Sequence, residues 1–197
     1  MNRKHFGDSY DIVKRFFCER LQLLKYSTCA DPMFRGDWTG AKPVFYRLLG
    51  VADCVEQRLT CSRSALLIDP DTGIADRRGR KYISTDRIIA ELARYAVVFV
   101  FDQSFIRIKN ASEVDQMQEK LRRLCSHPRS PPTFGFYYRS HAKFLFASRD
   151  KEQLQAIRKD LVECGIPAER FIDPPCSLKG PESAPLKSRT KAVADSH

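Results

Sequence analysis

The sequence predicts an α/β protein, a three-layer sandwich around a mostly parallel, Rossmann-like sheet with a late antiparallel strand pair. Short unbroken apolar runs, such as 65–68 and 96–101, are typical of strands that are buried on both faces. Segments with helical apolar periodicity alternate with these runs along the chain. This alternation is typical of a sheet with helices packed on both faces.

The first third of the chain is predicted to form three helices and one strand. Residues 9–25 have apolar side chains at a spacing of three or four, with Asp8 before them as N-cap, and predict an amphipathic helix. A short strand is predicted at 28–34. A loop rich in Gly and Pro then leads to a short helix at 44–50, and a further helix is predicted at 52–59.

The middle third contains the two buried strands. The strand at 65–68 ends in the turn sequence DPDTG, and the basic residues after it predict a hairpin around Arg78. Ser84 is predicted to cap a helix that extends to Tyr95. The second buried strand follows and ends at Asp102.

The last third is predicted to form two helices and an antiparallel strand pair. Asn110 and Glu113 have the spacing of a capping box before a helix at 111–125. The segments TFGFYYRS and AKFLFAS predict two strands joined by a turn. Asp150 and Gln153 repeat the capping pattern before a helix at 151–163.

The length of 197 residues predicts one α/β domain at 1–173. Residues 174–197 contain four prolines and no apolar pattern, which predicts a disordered basic tail. The whole chain has a net charge of +10. The tail has four basic and two acidic side chains, a net charge of +2, so +8 is expected on the folded domain.

The sequence predicts a soluble, cytoplasmic protein without a membrane partner. Its longest apolar run has six residues, far short of the roughly 18 that span a bilayer, and acidic and basic residues interrupt the N-terminal segment before any secretory signal can form. The seven cysteines are widely spaced and form no CxxC pair. They are predicted to be reduced, without disulfides and without zinc.

Acidic side chains end three of the predicted strands, and they define a candidate catalytic and metal site. In open α/β sheets, ligands bind beyond the carboxyl ends of the strands. Carboxylates that converge there need a cation between them, and oxygen ligands select Mg²⁺ or Mn²⁺. The predicted metal ligands are Asp31, Asp69, Asp71 and Asp102. The predicted catalytic residues are Asp69, Asp71 and Asp102, together with His141 as proton donor. The same acids are also ordinary turn and cap residues, so this alternative stays open.

A basic cluster follows the DPDTG turn closely and is predicted to bind the phosphate backbone of nucleic acid. Its members are Arg77, Arg78, Arg80 and Lys81. A hairpin tip with solvated charges is the other interpretation of this cluster.

These features together favour a protein that acts on nucleic acid by metal-dependent phosphoester hydrolysis, as a nuclease does. A non-catalytic module that binds nucleic acid or protein is the first alternative. The second comes from the segment IDPD after a buried strand, which resembles the DPPY-like motif of Rossmann-type nucleic-acid methyltransferases. This resemblance covers only a few residues, and the tight glycine-rich turn that the family has after its first strand is missing here.

Overall fold

A computed structural model describes residues 3–55, 63–76, 81–105, 112–128 and 130–175. Within these residues the chain forms five α-helices and nine strands. The helices are α1 Ser9–Leu23, α2 Lys42–Leu49, α3 Thr85–Glu91, α4 Glu113–Cys125 and α5 Lys151–Glu163. The strands are β1 Ser27–Asp31, β2 Ala52–Asp53, β3 Ser64–Ile68, β4 Gly73–Ile74, β5 Tyr82–Ile83, β6 Val97–Phe101, β7 Phe134–Tyr138, β8 Phe144–Ser148 and β9 Phe171–Ile172.

Seven of these strands form a mixed sheet in the order β2-β1-β3-β6-β8-β7-β9. The pairs β2-β1, β1-β3 and β3-β6 are parallel, whereas the pairs β6-β8, β8-β7 and β7-β9 are antiparallel. The α/β class and the late antiparallel pair are therefore confirmed. The sheet is more mixed than predicted, because β8 pairs with both β6 and β7 and the short β9 adds a further antiparallel edge.

Helices pack on both faces of this sheet and bury alternate side chains of its strands. On one face, α1, α2 and α5 contribute Phe17, Phe45 and Leu154 to a core that also contains Leu67 and Phe99. On the other face, α3 and α4 pack on the alternate strand residues. All five residues of β3, of β6 and of β8 are buried, which explains their unbroken apolar sequences.

Three local predictions are wrong. The segment at 52–59 starts with the strand β2 rather than a helix, because pairing with β1 satisfies its backbone. The flanking strands β4 and β5 pair in parallel, whereas a hairpin around Arg78 needs antiparallel strands; residues 77–80 themselves lie outside the described residues. The capping box of α4 is formed by Ser112 and Asp115, two residues later than predicted.

The other helix caps agree with the sequence. Asp8, Ser84 and Asp150 each accept backbone N–H groups at the start of α1, α3 and α5. Among the described residues, no helix is both long and apolar enough to cross a membrane.

Candidate functional site at the carboxyl end of the sheet

The parallel strands β1, β3 and β6 finish at one end of the sheet, which brings their terminal acids to the same side of the molecule. Asp31 lies opposite Ile68 in the register, and Ile68 lies opposite Val100. Asp69 and Asp102 directly follow these strands. The turn between β7 and β8 lies at the same end, because Phe144 of β8 is paired with Phe101.

Each of the four predicted aspartates is paired with a different basic side chain. Asp31 pairs with Arg87 and Asp69 with Lys14, while Asp71 pairs with Arg35 and Asp102 with Lys120. Because each of these carboxylates already has a cationic partner, a metal ion is not required to relieve their repulsion.

Asp69 belongs to a buried ionic triad that joins α1 to the sheet. The Lys14 ammonium donates to Asp69 Oδ2 at 2.8 Å and to Asp11 Oδ1 at 2.9 Å. All three residues are at most 3% exposed. Lys14 Nζ also lies 4.6 Å from the centre of the Phe101 ring. Asp69 is therefore sealed from solvent within the described structure.

The two other acids near the end of β1 and β3 hold arginines that are partly exposed. Asp71 Oδ2 accepts from Arg35 Nη1 at 2.5 Å, and Asp31 accepts from the Arg87 guanidinium. Asp31 also accepts from the backbone N–H of Met33, which has a positive φ of 44°. These pairs link the loop after β1 to the β3 turn and to α3.

Asp102 is the centre of a dense hydrogen-bond network. Its Oδ1 accepts from the backbone N–H groups of Ile74 and Ser104, each at 3.0 Å, and lies 2.6 Å from Ser104 Oγ. Its Oδ2 accepts from Lys120 Nζ at 2.7 Å and from the Tyr137 hydroxyl at 2.8 Å. Lys120 Nζ also donates to Ser104 Oγ at 2.7 Å.

Burial dominates the titration of the two side chains that donate to Asp102 Oδ2. Desolvation lowers the pKa of Lys120, although Asp102 opposes this shift. Desolvation and the Asp102 carboxylate both raise the pKa of Tyr137. Tyr137 is therefore a neutral donor to Asp102.

The DPDTG turn approaches Asp102 so closely that only glycine fits at position 73. A Cβ on Gly73 would lie 2.1 Å from Asp102 Oδ1 and 2.9 Å from the backbone nitrogen of Gln103. Gly73 also has a φ of +135°, which L side chains rarely adopt. This contact fixes the turn after β3 against the end of β6.

A cavity of about 760 Å³ opens beside this contact. Residues from the DPDTG turn, from the segment after β6 and from α4 line it. Its walls combine aromatic and apolar side chains with hydroxyl, amide and charged groups. They are Thr72, Ile74, Ala75, Asp76, Tyr82, Thr85, Gln103, Ser104, Phe105, Asp115, Gln116, Glu119, Lys120 and Arg123.

His141 lies at the same end of the sheet, on the turn between β7 and β8. Gln103 Nε2 donates to its backbone carbonyl at 2.7 Å, and its ring centre lies 5.5 Å from that of Tyr10. Its side chain is exposed. The structure thus brings the His141 backbone to the segment after β6.

The metal site and the basic cluster both stay predictions. Within the described ranges, no group of three or more His, Cys, Asp or Glu residues could hold a metal ion. The Mg²⁺ or Mn²⁺ site predicted at Asp31, Asp69, Asp71 and Asp102 therefore stays a prediction. Of the basic cluster, Arg77, Arg78 and Arg80 lie outside the described residues, and Lys81 directly precedes β5.

The sequence reasoning missed the residues that hold the acids in place, above all Lys14 and Lys120. The sequence contains a signal for each of these two lysines. Lys14 precedes Phe17 and Leu21 by three and seven residues, and so lies on the buried stripe of α1. Lys120 lies between Met117 and Leu124 on the buried stripe of α4. A charged residue on such a stripe predicts a buried partner of opposite charge.

The fold and this site together define an α/β protein with a mixed seven-stranded sheet and a cavity of mixed apolar and polar lining at the carboxyl end of its parallel strands. Comparisons with protein-family models, with curated proteins and with solved structures give no significant match.

Proposed function

We propose that this chain is a nucleic-acid-associated protein that binds a phosphate backbone beside the cavity at the carboxyl end of the sheet. Its charge distribution carries the proposal. Residues 77–80 and 106–111 contain four arginines and one lysine but no acid, so these ten residues hold half of the net charge of +10. Asp76 and Phe105, which directly precede these two segments, both line the cavity.

The described part of the chain is nearly balanced in charge, which makes these two segments stand out. The described residues contain 23 basic and 21 acidic side chains. Phosphate contacts by lysine and arginine release counterions, and they provide most of the sequence-independent affinity for nucleic acid. A concentration of arginines that directly follows two cavity residues in the sequence is therefore the feature that favours nucleic acid as the partner.

The proposal is tested by the salt dependence of binding. Labelled DNA and RNA oligonucleotides are titrated with the protein at several salt concentrations, for the native chain and for the triple variant Arg77→Ala, Arg78→Ala, Arg80→Ala. We expect weaker binding by the variant and a salt slope that is shallower by about 0.9 for each lost contact with duplex DNA. A native chain that binds neither polymer at low salt would overturn the proposal.

Metal-dependent hydrolysis of the bound nucleic acid is proposed separately from binding and has its own test. The described aspartates are engaged by Lys14, Lys120 and two arginines, so an ion would have to displace one of these partners. Asp71 is one of the two strand-end acids whose arginine partner is 41% exposed. Incubation of labelled DNA and RNA with and without Mg²⁺ or Mn²⁺ tests cleavage, and Asp71→Asn is the control variant. Cleavage that is independent of both ion and Asp71 would exclude this site.

A second candidate is a Rossmann-type methyltransferase-like protein, and the strand order favours it. The chain leaves β1 toward β2 and later continues from β3 toward β6, so the order reverses between β1 and β3. Ligands of doubly wound sheets bind at such a switch point. The IDPD segment ends β3 at this position. Calorimetric titration with S-adenosylmethionine tests this candidate, and absence of binding would remove it.

A further inference from the structure

We infer that the cavity lined by Tyr82 and Phe105 binds one uncharged heteroaromatic ring, a nucleobase of the strand whose backbone is bound beside it. The inference rests on the proposed function, because the bound strand supplies the ring. It goes further in that it assigns the cavity a ligand class and names the residues that contact it.

The charged groups of the cavity wall are already paired within the protein. Glu119 accepts from Arg122 and Arg123, and Arg123 also pairs with Asp76 at 3.5 Å. Asp115 is held by the capping box of α4. Lys120 is held by Asp102 and Ser104. With these charges paired, a charged ligand would have to compete with existing partners, whereas an uncharged ligand would not.

The remaining residues of the cavity wall provide apolar surface and a hydrogen-bonding group for a nucleobase. Aromatic and apolar side chains, namely Tyr82, Phe105, Ile74 and Ala75, provide surface for a flat ring. Gln103 donates through Nε2 to the His141 carbonyl at 2.7 Å, which orients its side-chain amide beside the cavity. An oriented amide of this kind can read the donor and acceptor pattern of a base.

The size of the cavity is also suitable for a nucleobase. Its volume of about 760 Å³ lies within the range of roughly 300–1,000 Å³ that is usual for small-molecule sites. A base taken out of its stack, together with its sugar, is a ligand of this class.

Two oligonucleotides of equal length and charge test the inference: a normal single strand and an abasic strand that has the phosphates but lacks the rings. We expect the native chain to bind the normal strand about tenfold more tightly or better, since stacking of one base contributes roughly that much. Ala75→Trp, which fills the cavity without changing its charge, should abolish the difference. Ile12→Trp, which adds a tryptophan at an exposed position of α1 outside the cavity lining, is the matched control.

Thermal unfolding checks that each variant is folded, and Phe105→Leu replaces Ala75→Trp if the tryptophan prevents folding. Equal binding of both strands by the native chain would overturn the inference while the proposed function stands. So would a preference for the normal strand that persists in Ala75→Trp and in Phe105→Leu, because the rings would then bind elsewhere.

Equilibrium dialysis with free adenosine, guanosine, cytidine and uridine distinguishes failure of the inferred ring site from failure of the proposed function. If neither strand binds at low salt, the proposed function fails. Nucleoside binding that Ala75→Trp removes would then still support the ring site. Absence of nucleoside binding together with absence of strand binding would overturn both.

Discussion

The buried Lys14 ammonium is the shared partner of two carboxylates, Asp11 and Asp69, that have almost no contact with solvent. Asp69 and Asp11 raise the pKa of Lys14 above its ordinary value of 10.5, against the desolvation that lowers it. Since the folded pKa is the higher one, the contribution of Lys14 to stability is fully present below about pH 10.5 and is lost as the pH rises through the folded pKa. Acidification from neutral pH does not remove the charge on Lys14.

Removal of this ammonium leaves Asp11 and Asp69 as a buried like-charge pair. We expect Lys14→Met to lower the free energy of unfolding by about 3–5 kcal/mol, as is usual when one partner of a buried ion pair is removed. Urea unfolding followed by circular dichroism measures this. Arg15→Met, which breaks the exposed pair of Arg15 with Glu19, is the control and should cost under about 1 kcal/mol. Equal losses for the two variants would contradict the structural role of Lys14.

Gly73 is the residue on which the contact between the DPDTG turn and Asp102 depends. We expect Gly73→Ala to destabilise the protein by about 2 kcal/mol or more, because its Cβ would overlap Asp102 Oδ1 and the backbone would be strained. Gly36→Ala is a matched control, since Gly36 also has a positive φ but its Cβ would meet nothing within 4 Å. The difference between their unfolding free energies measures the contact together with the greater backbone strain at φ +135° than at φ +77°. A difference near zero would show that the turn adjusts.

At the scale of elements, α4 contains a pH-sensitive interaction on the rim of the cavity. Hydrogen bonds from Arg122 and Arg123 lower the pKa of Glu119 to about 2, from 4.5. Because the folded pKa is depressed, the contribution of Glu119 to stability is present above pH 4.5 and is lost as the pH falls toward 2. Glu119 is substantially exposed, so this contribution is under about 1 kcal/mol.

We therefore expect Glu119→Gln to be slightly less stable than the native chain near neutral pH, and the two proteins to converge as the pH approaches 2. Thermal unfolding midpoints of both proteins across this range measure the convergence. A constant difference down to pH 2 would contradict the assignment of the effect to the Glu119 charge.

The elements that the sequence predicts well are those whose local signals agree with their packing. The buried runs at β3 and β6 have no polar interruption, and Asp8 and Asp150 are caps that need only the next few residues. The strand β2 was not predictable from its own sequence, because its two residues are held by pairing with β1, whose sequence position is distant. Likewise, the parallel pairing of β4 and β5 depends on where the ends of β3 and β6 lie.

The candidate site was likewise predictable only in the part that depends on local sequence signals. The sequence correctly placed acids at the strand ends, because parallel strands finish at one end of a sheet. It did not reveal that each acid has its own cation, since these partners lie far along the chain. Lys14 and Asp69 are 55 residues apart, and Arg87 and Asp31 are 56 apart. Tertiary contacts of this separation determine whether strand-end acids bind a metal ion or form ion pairs.

At the scale of the whole molecule, the net charge separates into a nearly balanced described part and a few basic segments. The described residues have a net charge of +2, and +8 lies on the others. Five of these eight charges belong to residues 77–80 and 106–111, and two belong to residues 176–197. The tail and these two internal segments can therefore be changed separately to compare their contributions to any electrostatic attraction.

Removal of residues 176–197 tests how the two contributions divide. We expect the truncated chain to keep the unfolding free energy of the full chain, because the described elements end before this segment. We also expect its salt slope for duplex DNA to fall by less than that of the triple arginine variant, because the proposed backbone contacts are made by Arg77, Arg78 and Arg80 and not by the four basic residues of the tail. Fluorescence anisotropy at several salt concentrations measures both slopes. A larger loss on truncation would move the proposed backbone contact from the cavity rim to the tail.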